Sequence, residues 1–181
     1  MSELTLMGLC GSLRADSFNR KLMHAAARSF GPAQFVEGDL NLPLFNEDVE
    51  AQGMPEAVTR LKEQVKAADA VVIACPEYNK APPGVLKNAL DWISRGGQPW
   101  TGKPVALVSA AGGRAGGERT QFALRLMMVP FRPLILQGPE VLVASPKDHF
   151  DTQGALITET YQKLLDELMA SLRAAAEGRR A

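Results

Sequence analysis

The run ADAVVIAC, residues 68–75, decides the architecture. Val71, Val72, Ile73 and Ala74 follow one another without polar alternation. A strand of that kind is covered on both faces, as in a parallel sheet. Pro76 comes next, and PEYNKAPPGVLKNALDW, residues 76–92, turns the chain into a helical period. Pro82 and Pro83 are placed to start this helix in its first turn, where a missing N–H costs nothing. Val85, Leu86, Ala89, Leu90 and Ile93 supply its inner face.

The same alternation extends in both directions. Leu4–Cys10 reads as a strand, and Asn19–Phe30 as a helix with Leu22, Met23, Ala26, Ala27 and Phe30 on one face. Gln34–Glu37 is a short strand, and Pro55–Ala67 a helix carrying Val58, Leu61 and Val65 on one side. Pro104–Ala111 is a fourth strand and Glu118–Val129 a fourth helix. Either Leu134–Leu136 or Val141–Val143 supplies a fifth strand. Thr152 to about Ala176 reads as a long final helix, with Leu156, Tyr161, Leu164, Leu165, Leu168 and Leu172 as core candidates. Five alternations imply an α/β protein with a parallel sheet and helices on both faces. Right-handed crossovers leave few topologies. The size favours the doubly wound, flavodoxin-like five-stranded order 2-1-3-4-5. No repeat, low-complexity tract or linker interrupts residues 1–181, so one domain is expected.

Composition narrows the function classes. The chain is 46% hydrophobic over 181 residues, enough for one substantial core. Lys plus Arg equals Asp plus Glu at 20 each, which gives no electrostatic footprint for nucleic acid or an anionic membrane. No apolar run approaches the roughly 18 residues of a spanning helix. The first residues carry Glu3 and no basic segment, so no secretory signal is expected. Cys10 and Cys75 are too few for a disulfide framework, and no Cys/His cluster has zinc spacing. A reduced, cytoplasmic protein is expected.

Ligands of such sheets sit beyond the carboxyl ends of the strands, at the switch point between strands 1 and 3. Three segments meet there: residues 10–20, 75–84 and 109–117. The first, CGSLRADSFNR, opens a helix. A helix N-terminus holds unpaired N–H groups and partial positive charge, a natural partner for phosphate. Gly11 lets the backbone turn, Ser12 and Ser17 offer hydroxyls, Asn19 an amide, and Arg14 charge-assisted bonds. Ser17 or Asn19 could instead simply cap the helix. The Walker pattern is missing, and Gly8-Leu9-Cys10-Gly11 is not a dinucleotide fingerprint, so a mononucleotide-type phosphate is preferred. In the second segment, Tyr78 offers a flat face and a hydroxyl, and Asn79 both a donor and an acceptor. A planar heteroaromatic ring suits such a loop, although Tyr78 could also pack locally. The third, SAAGGRAGGER, residues 109–119, exposes backbone donors through its four glycines, or is simply mobile.

These residues carry a family resemblance. Gly11-Ser12-Leu13-Arg14 with Ser17, Asn19 and Arg20 resembles the first loop of the NADPH-dependent FMN reductases. Pro76-Glu77-Tyr78-Asn79, Pro83-Gly84-Val85-Leu86-Lys87-Asn88-Ala89 and Asp91-Trp92 resemble their second signature. The likeness spans essentially the whole chain and is nearest to the chromate, quinone and azo-compound reductases. It implies non-covalent FMN and a homodimer, often a homotetramer. Ser12, Arg14, Ser17 and Asn19 would bind the FMN phosphate. Pro76, Glu77, Tyr78 and Asn79 would flank the isoalloxazine and ribityl chain, and Ser109, Gly112 and Gly113 would line the pyrimidine side. NADPH or NADH would reduce the flavin, and a small-molecule acceptor would then use the same face, a ping-pong sequence with no catalytic side chain. Neither His24 nor His149 lies in a ligand loop. A flavodoxin-type electron carrier is the alternative, although such carriers are strongly acidic and this chain is neutral.

Two further readings concern assembly and thiols. In helix 118–129, Phe122, Ala123, Leu124, Leu126, Met127, Met128 and Val129 surround almost the whole circumference. A helix apolar all round is buried on more than one side. Leu124 and Met128 are expected to face a second copy. Cys10 and Cys75 end neighbouring strands; they are either a redox pair beside the ligand or small buried hydrophobes.

Overall fold

Six strand segments form one parallel sheet in the computed structural model, which describes residues 3–180. They are β1 (Thr5–Cys10), β2 (Gln34–Gly38), β3 (Ala70–Ala74), β4 (Pro104–Ala111), β5 (Leu134–Ile135) and β6 (Val141–Ala144). The order is β2-β1-β3-β4-β5, with β6 also on β4. β5 pairs with Pro104 and Val105, whereas β6 pairs with Val108–Ala111. Both candidate fifth strands are therefore used, end to end along one edge of β4. Gly138 and Pro139 lie between them, and a proline cannot donate to a ladder.

The helices are α1 (Phe18–Phe30), α2 (Glu47–Ala51), α3 (Glu56–Ala67), α4 (Gly84–Ile93), α5 (Glu118–Met128) and α6 (Glu159–Arg180). Alternate strand residues point to opposite faces, and the two cores divide accordingly. Leu6, Ala70, Val72, Ala106 and Val108 pack under α1 and α6. Met7, Leu9, Val71, Ile73, Val105 and Leu107 pack under α3, α4 and α5. Val71, Val72, Ile73 and Ala74 are all fully buried, as a strand covered on both sides requires.

Three expectations are corrected and one helix, α2, is additional. The helix after β3 begins at Gly84, with Pro83 as an extended N-cap at ψ 149. Pro82 precedes another proline, which steers it away from helical angles. The final helix begins at Glu159, seven residues after the expected Thr152. Asp151 Oδ1 accepts from the N–H groups of Gln153 and Ala155 (2.9 and 2.8 Å), Gly154 sits at φ 84, and Phe150 bridges Leu156, so this stretch is a tight loop. α2 has no buried residue and so no apolar period to read; Asn46 Oδ1 caps it by accepting from Asp48 N–H at 2.9 Å.

The third correction concerns α5. Leu124 and Met128 are fully buried against the sheet, while Phe122, Leu126 and Val129 are 57%, 74% and 65% exposed. The start of the helix sets its rotation. Gly117 enters at φ 95, and the Thr120 hydroxyl donates to Pro76 O at 3.2 Å. That turns the i, i+4, i+8 stripe of Thr120, Leu124 and Met128 inward.

Candidate functional site

Parallel strands bring the carboxyl ends of β1, β3 and β4 side by side, with Cys10 opposite Ala74 and Ala74 opposite Val108. The three loops leave from that rim. Gly11 N–H donates to Ala74 O at 2.9 Å, and a Cβ on Gly11 would stand 3.0 Å from Pro76 Cδ. The first two loops therefore abut. Between them and the end of β4 lies a cavity of about 210 Å³, lined by Ser12, Arg14, Ser17, Asn19, Pro76, Glu77, Tyr78 and Gly112 among others. Glu77 and Gly112 are shared with a second cleft of about 390 Å³, which continues along Gly113, Arg114 and Gly116 to Arg119.

At one end of the first cavity the N-terminus of α1 is available to an anion. Ser17 is the N-cap, but its hydroxyl makes no bond back to the helix, and the first turn has no acidic residue. Asp16, just outside, is held by Lys21 at 2.5 Å, and that ammonium keeps its carboxyl below the usual carboxylate range. Arg14 is exposed and makes no ion pair among the described residues. Ser12 is buried; its Oγ accepts from Arg14 N–H and from the Tyr78 hydroxyl, both at a long 3.4 Å. Such contacts exchange readily for charge-assisted bonds to phosphate oxygens.

Asn19 lines this cavity, yet both its polar atoms are engaged. Nδ2 donates to Ala110 O at 2.8 Å, and Oδ1 accepts from Ala110 N–H at 3.0 Å. The last ladder bond from the β3 side is Cys75 N–H to Val108 O. In a parallel pair the next slot on that side of β4 belongs to Ala110, but the chain has turned away at Pro76. Asn19 fills the vacated slot with an amide that imitates a peptide. It ties the start of α1 to the end of β4. Arg20 points elsewhere, onto Glu37 at 2.8 Å.

At the other end, Tyr78 and Ala81 exchange backbone bonds of 3.0 and 3.1 Å across a two-residue turn. Asn79 and Lys80 there have φ of 52 and 67. This is the geometry for which asparagine is favoured, so Asn79 shapes the turn and does not line the cavity. Tyr78 stands half exposed at the rim. The Glu77 carboxylate accepts from Thr120 N–H at 3.4 Å, facing the positive end of α5. Thr120 also lies 3.1 Å from Cys75 Sγ, which makes it the anchor of the second loop. Sequence reasoning missed Thr120, because a threonine inside a helical period carries no signal of a long-range bond.

The third loop divides its glycines. A Cβ on Gly116 would meet Leu142 O at 2.4 Å, and one on Gly117 would meet Ser109 Oγ at 2.7 Å; both have positive φ. These two permit close packing. At Gly112 and Gly113 nothing lies within 4 Å of a built Cβ, so that backbone edges open space beside the cavity. Ser109 lies fully buried beneath the loop, donating to Gly116 O at 2.7 Å and accepting from Gln121 Nε2 at 3.0 Å. It supports the loop from within.

The two thiols do not form a pair. Cys10 packs on the α1 face and Cys75 on the α3–α5 face of the sheet. Burial raises both; Cys75 is pushed up to about 12, and Cys10 lies above the ordinary thiol range. Both are small buried hydrophobes, with no thiolate chemistry at neutral pH.

An anion cradle at the switch point, a slot beside an aromatic rim and an open glycine edge define a flavodoxin-like mononucleotide-binding domain. The comparisons narrow that class. Residues 4–148 match the family model of NADPH-dependent FMN reductases. An NAD(P)H-dependent FMN reductase of Pseudomonas aeruginosa is 41% identical over 174 residues, covering 94% of each chain. A 2-hydroxy-1,4-benzoquinone reductase of a Burkholderia species is 36% identical over 182 residues, covering 98% of each. Among solved structures, the flavoenzyme NAD(P)H:(acceptor) oxidoreductase of Paracoccus denitrificans superposes with a TM-score of 0.88 at 31% identity, covering 97% of this chain and 98% of that one. The chain belongs to the NADPH-dependent FMN reductase family and is a flavoprotein oxidoreductase. Its residues fit FMN: the free donors at the head of α1 suit the phosphate, and the open edge at Gly112 and Gly113 leaves room for a ring.

Proposed function

We propose that this protein is an NAD(P)H-dependent quinone reductase that uses FMN held across the three loops. Bound FMN supplies two-electron transfer between a nicotinamide and an acceptor. The observation that carries the reading is the donor set of Ser12, Arg14, Ser17 and the α1 N-terminus, engaged only by long contacts and set at the switch point of the sheet. Asn19 holds that set in register. Pro76, Glu77 and Tyr78 border the ring and its ribityl chain, with Glu77 fixed by α5, and Asn79 shapes the turn that carries Tyr78. Gly112 and Gly113 present backbone toward the pyrimidine side, on a frame fixed by Ser109.

The second cleft, continuous with the first, would give nicotinamide and acceptor one shared approach, which supports a ping-pong turnover. Small quinones are the acceptor class, in keeping with the names of the relatives; azo compounds, chromate and free flavin fit the same open face. No helix among the described residues is long and apolar enough to cross a membrane; with the balanced charge and the free thiols, this supports a cytoplasmic site of action. The exposed stripe of Phe122, Leu126 and Val129 supports a homodimer or homotetramer packed through α5. The test is anaerobic addition of NADPH, then NADH, to the FMN-loaded protein, followed by benzoquinone. Bleaching of the flavin absorbance and its recovery with quinone are expected; a spectrum unmoved by either nicotinamide refutes the reading.

A further inference from the structure

The opposite rim of the sheet holds a third cleft, also about 390 Å³ in volume and unrelated to the flavin loops. Its lining carries Lys62, Lys66, Lys103 and Arg179 against the single carboxylate of Glu63. In a chain with no net charge, four cations around one cleft are a concentrated field. They come from three separate parts of the fold. Lys62 and Lys66 belong to α3, Lys103 immediately precedes β4, and Arg179 ends α6. Because the strands are parallel, the start of β4 marks the amino rim, a full strand length from the cradle at Ser12.

Among the described residues, Lys66 alone of these charges has a carboxylate within ion-pair distance. The Lys62 ammonium donates to the carbonyl of Arg95, and that of Lys103 to the carbonyls of Lys66 (3.1 Å) and Ala68. Lys103 is 1% exposed, and two carbonyls leave one of its three donors unassigned. Asp69, the nearby carboxylate, is occupied by Arg180 (2.6 Å) and by Thr5 N–H (2.7 Å). Glu63 reaches only Lys66, at 3.8 Å on an exposed helix face. Arg179 has no partner among the described residues. Burial, and then the charge of Arg179, pull the Lys103 ammonium down to about 8, while Asp69 acts in the other direction.

A second, independent feature points the same way. The cleft wall includes Gly96, Gly97 and Gln98, whose backbone N–H groups donate to no protein acceptor among the described residues. Gly96 has φ 65 and Gly97 φ 157. Successive free amides in a turn of this kind form an anion-binding concavity. The volume falls within the range of small-ligand sites.

We propose that this cleft is a second anion site, which takes a compact diphosphate group through Lys66, Lys103, Arg179 and the Gly96–Gly97 amides. The site is independent of the flavin reading. Its test is titration of the isotope-labelled full chain, with and without saturating FMN, with inorganic pyrophosphate at constant ionic strength. Saturable shifts of the Gly96 and Gly97 amide resonances are expected in both states. The double variant Lys66→Ala/Arg179→Ala, both exposed positions, should weaken binding at least about tenfold without changing the flavin spectrum, a loss of about 1.4 kcal/mol. A parallel titration with ADP separates the sources: equal affinity assigns a nucleoside diphosphate, weaker affinity the free anion. The proposal is overturned if the shifts fail to saturate, if they fall only on residues 11–19 and vanish with FMN, or if the double variant binds pyrophosphate as tightly as the parent.

Discussion

Asn19→Ala is the most informative single change. It removes the two bonds that hold Ala110, at 2.8 and 3.0 Å, and leaves a buried N–H and a buried C=O without partners. Each orphaned group costs about 1–3 kcal/mol. The apoprotein should therefore lose about 2–6 kcal/mol, a large share of the roughly 5–15 kcal/mol of a typical domain. Urea unfolding of the apoprotein measures this directly, as a lower midpoint at unchanged slope. FMN affinity should fall as well, because the start of α1 is no longer tied to β4. If Asn19 served only as a phosphate donor, the apoprotein would be untouched and only FMN affinity would drop. An apoprotein within about 0.5 kcal/mol of the parent refutes the clamp.

Four further outcomes follow from the geometry. Gly116→Ala places a Cβ 2.4 Å from Leu142 O at φ 59 and should cost at least about 1–3 kcal/mol in apoprotein unfolding, whereas Gly112→Ala, with open space around it, should leave unfolding unchanged and weaken only FMN titration. Leu126→Asp should keep the fold and shift light-scattering mass toward the monomer, while Leu124→Asp, at a fully buried site, should abolish folding. A chromogenic disulfide reagent at pH 8 should label neither Cys10 nor Cys75 until denaturant is added, since burial holds both thiols protonated. Lys103 is depressed from 10.5 to about 8, so between those values the unfolded chain binds more protons and stability rises with pH. That rise should be absent in Lys103→Met when the unfolding of parent and variant is compared from pH 7 to 11.

The alternation of the fold was legible because burial on both sheet faces leaves unbroken apolar runs such as Val71–Ala74, and the switch-point rule then located all three loops. Helix phase was not legible in α5. With Phe122, Leu124, Leu126 and Met128 all apolar, only the anchoring of Thr120 on Pro76 selects which side turns inward. The start of α6 was hidden because Asp151 and Gly154 build a loop from residues that also fit a helical period. At the site, Ser12, Arg14 and Ser17 could be singled out from the sequence as candidate phosphate donors because a helix N-terminus is local information, and all three line the cavity. Asn19 reads as a phosphate donor, but its amide is engaged by Ala110, and a contact 91 residues away leaves no trace in local sequence; Ser109, expected to line the pyrimidine side, is buried and donates to Gly116.

Comparing FMN with riboflavin by fluorescence quenching of the apoprotein tests the phosphate cradle most directly. Two or more charge-assisted bonds at about 1.5–3 kcal/mol each predict that riboflavin binds at least about a hundredfold more weakly. Arg14→Ala combined with Ser17→Ala should then weaken FMN while leaving riboflavin unchanged. Equal affinity for the two flavins in the parent protein would contradict an anion grip at the head of α1.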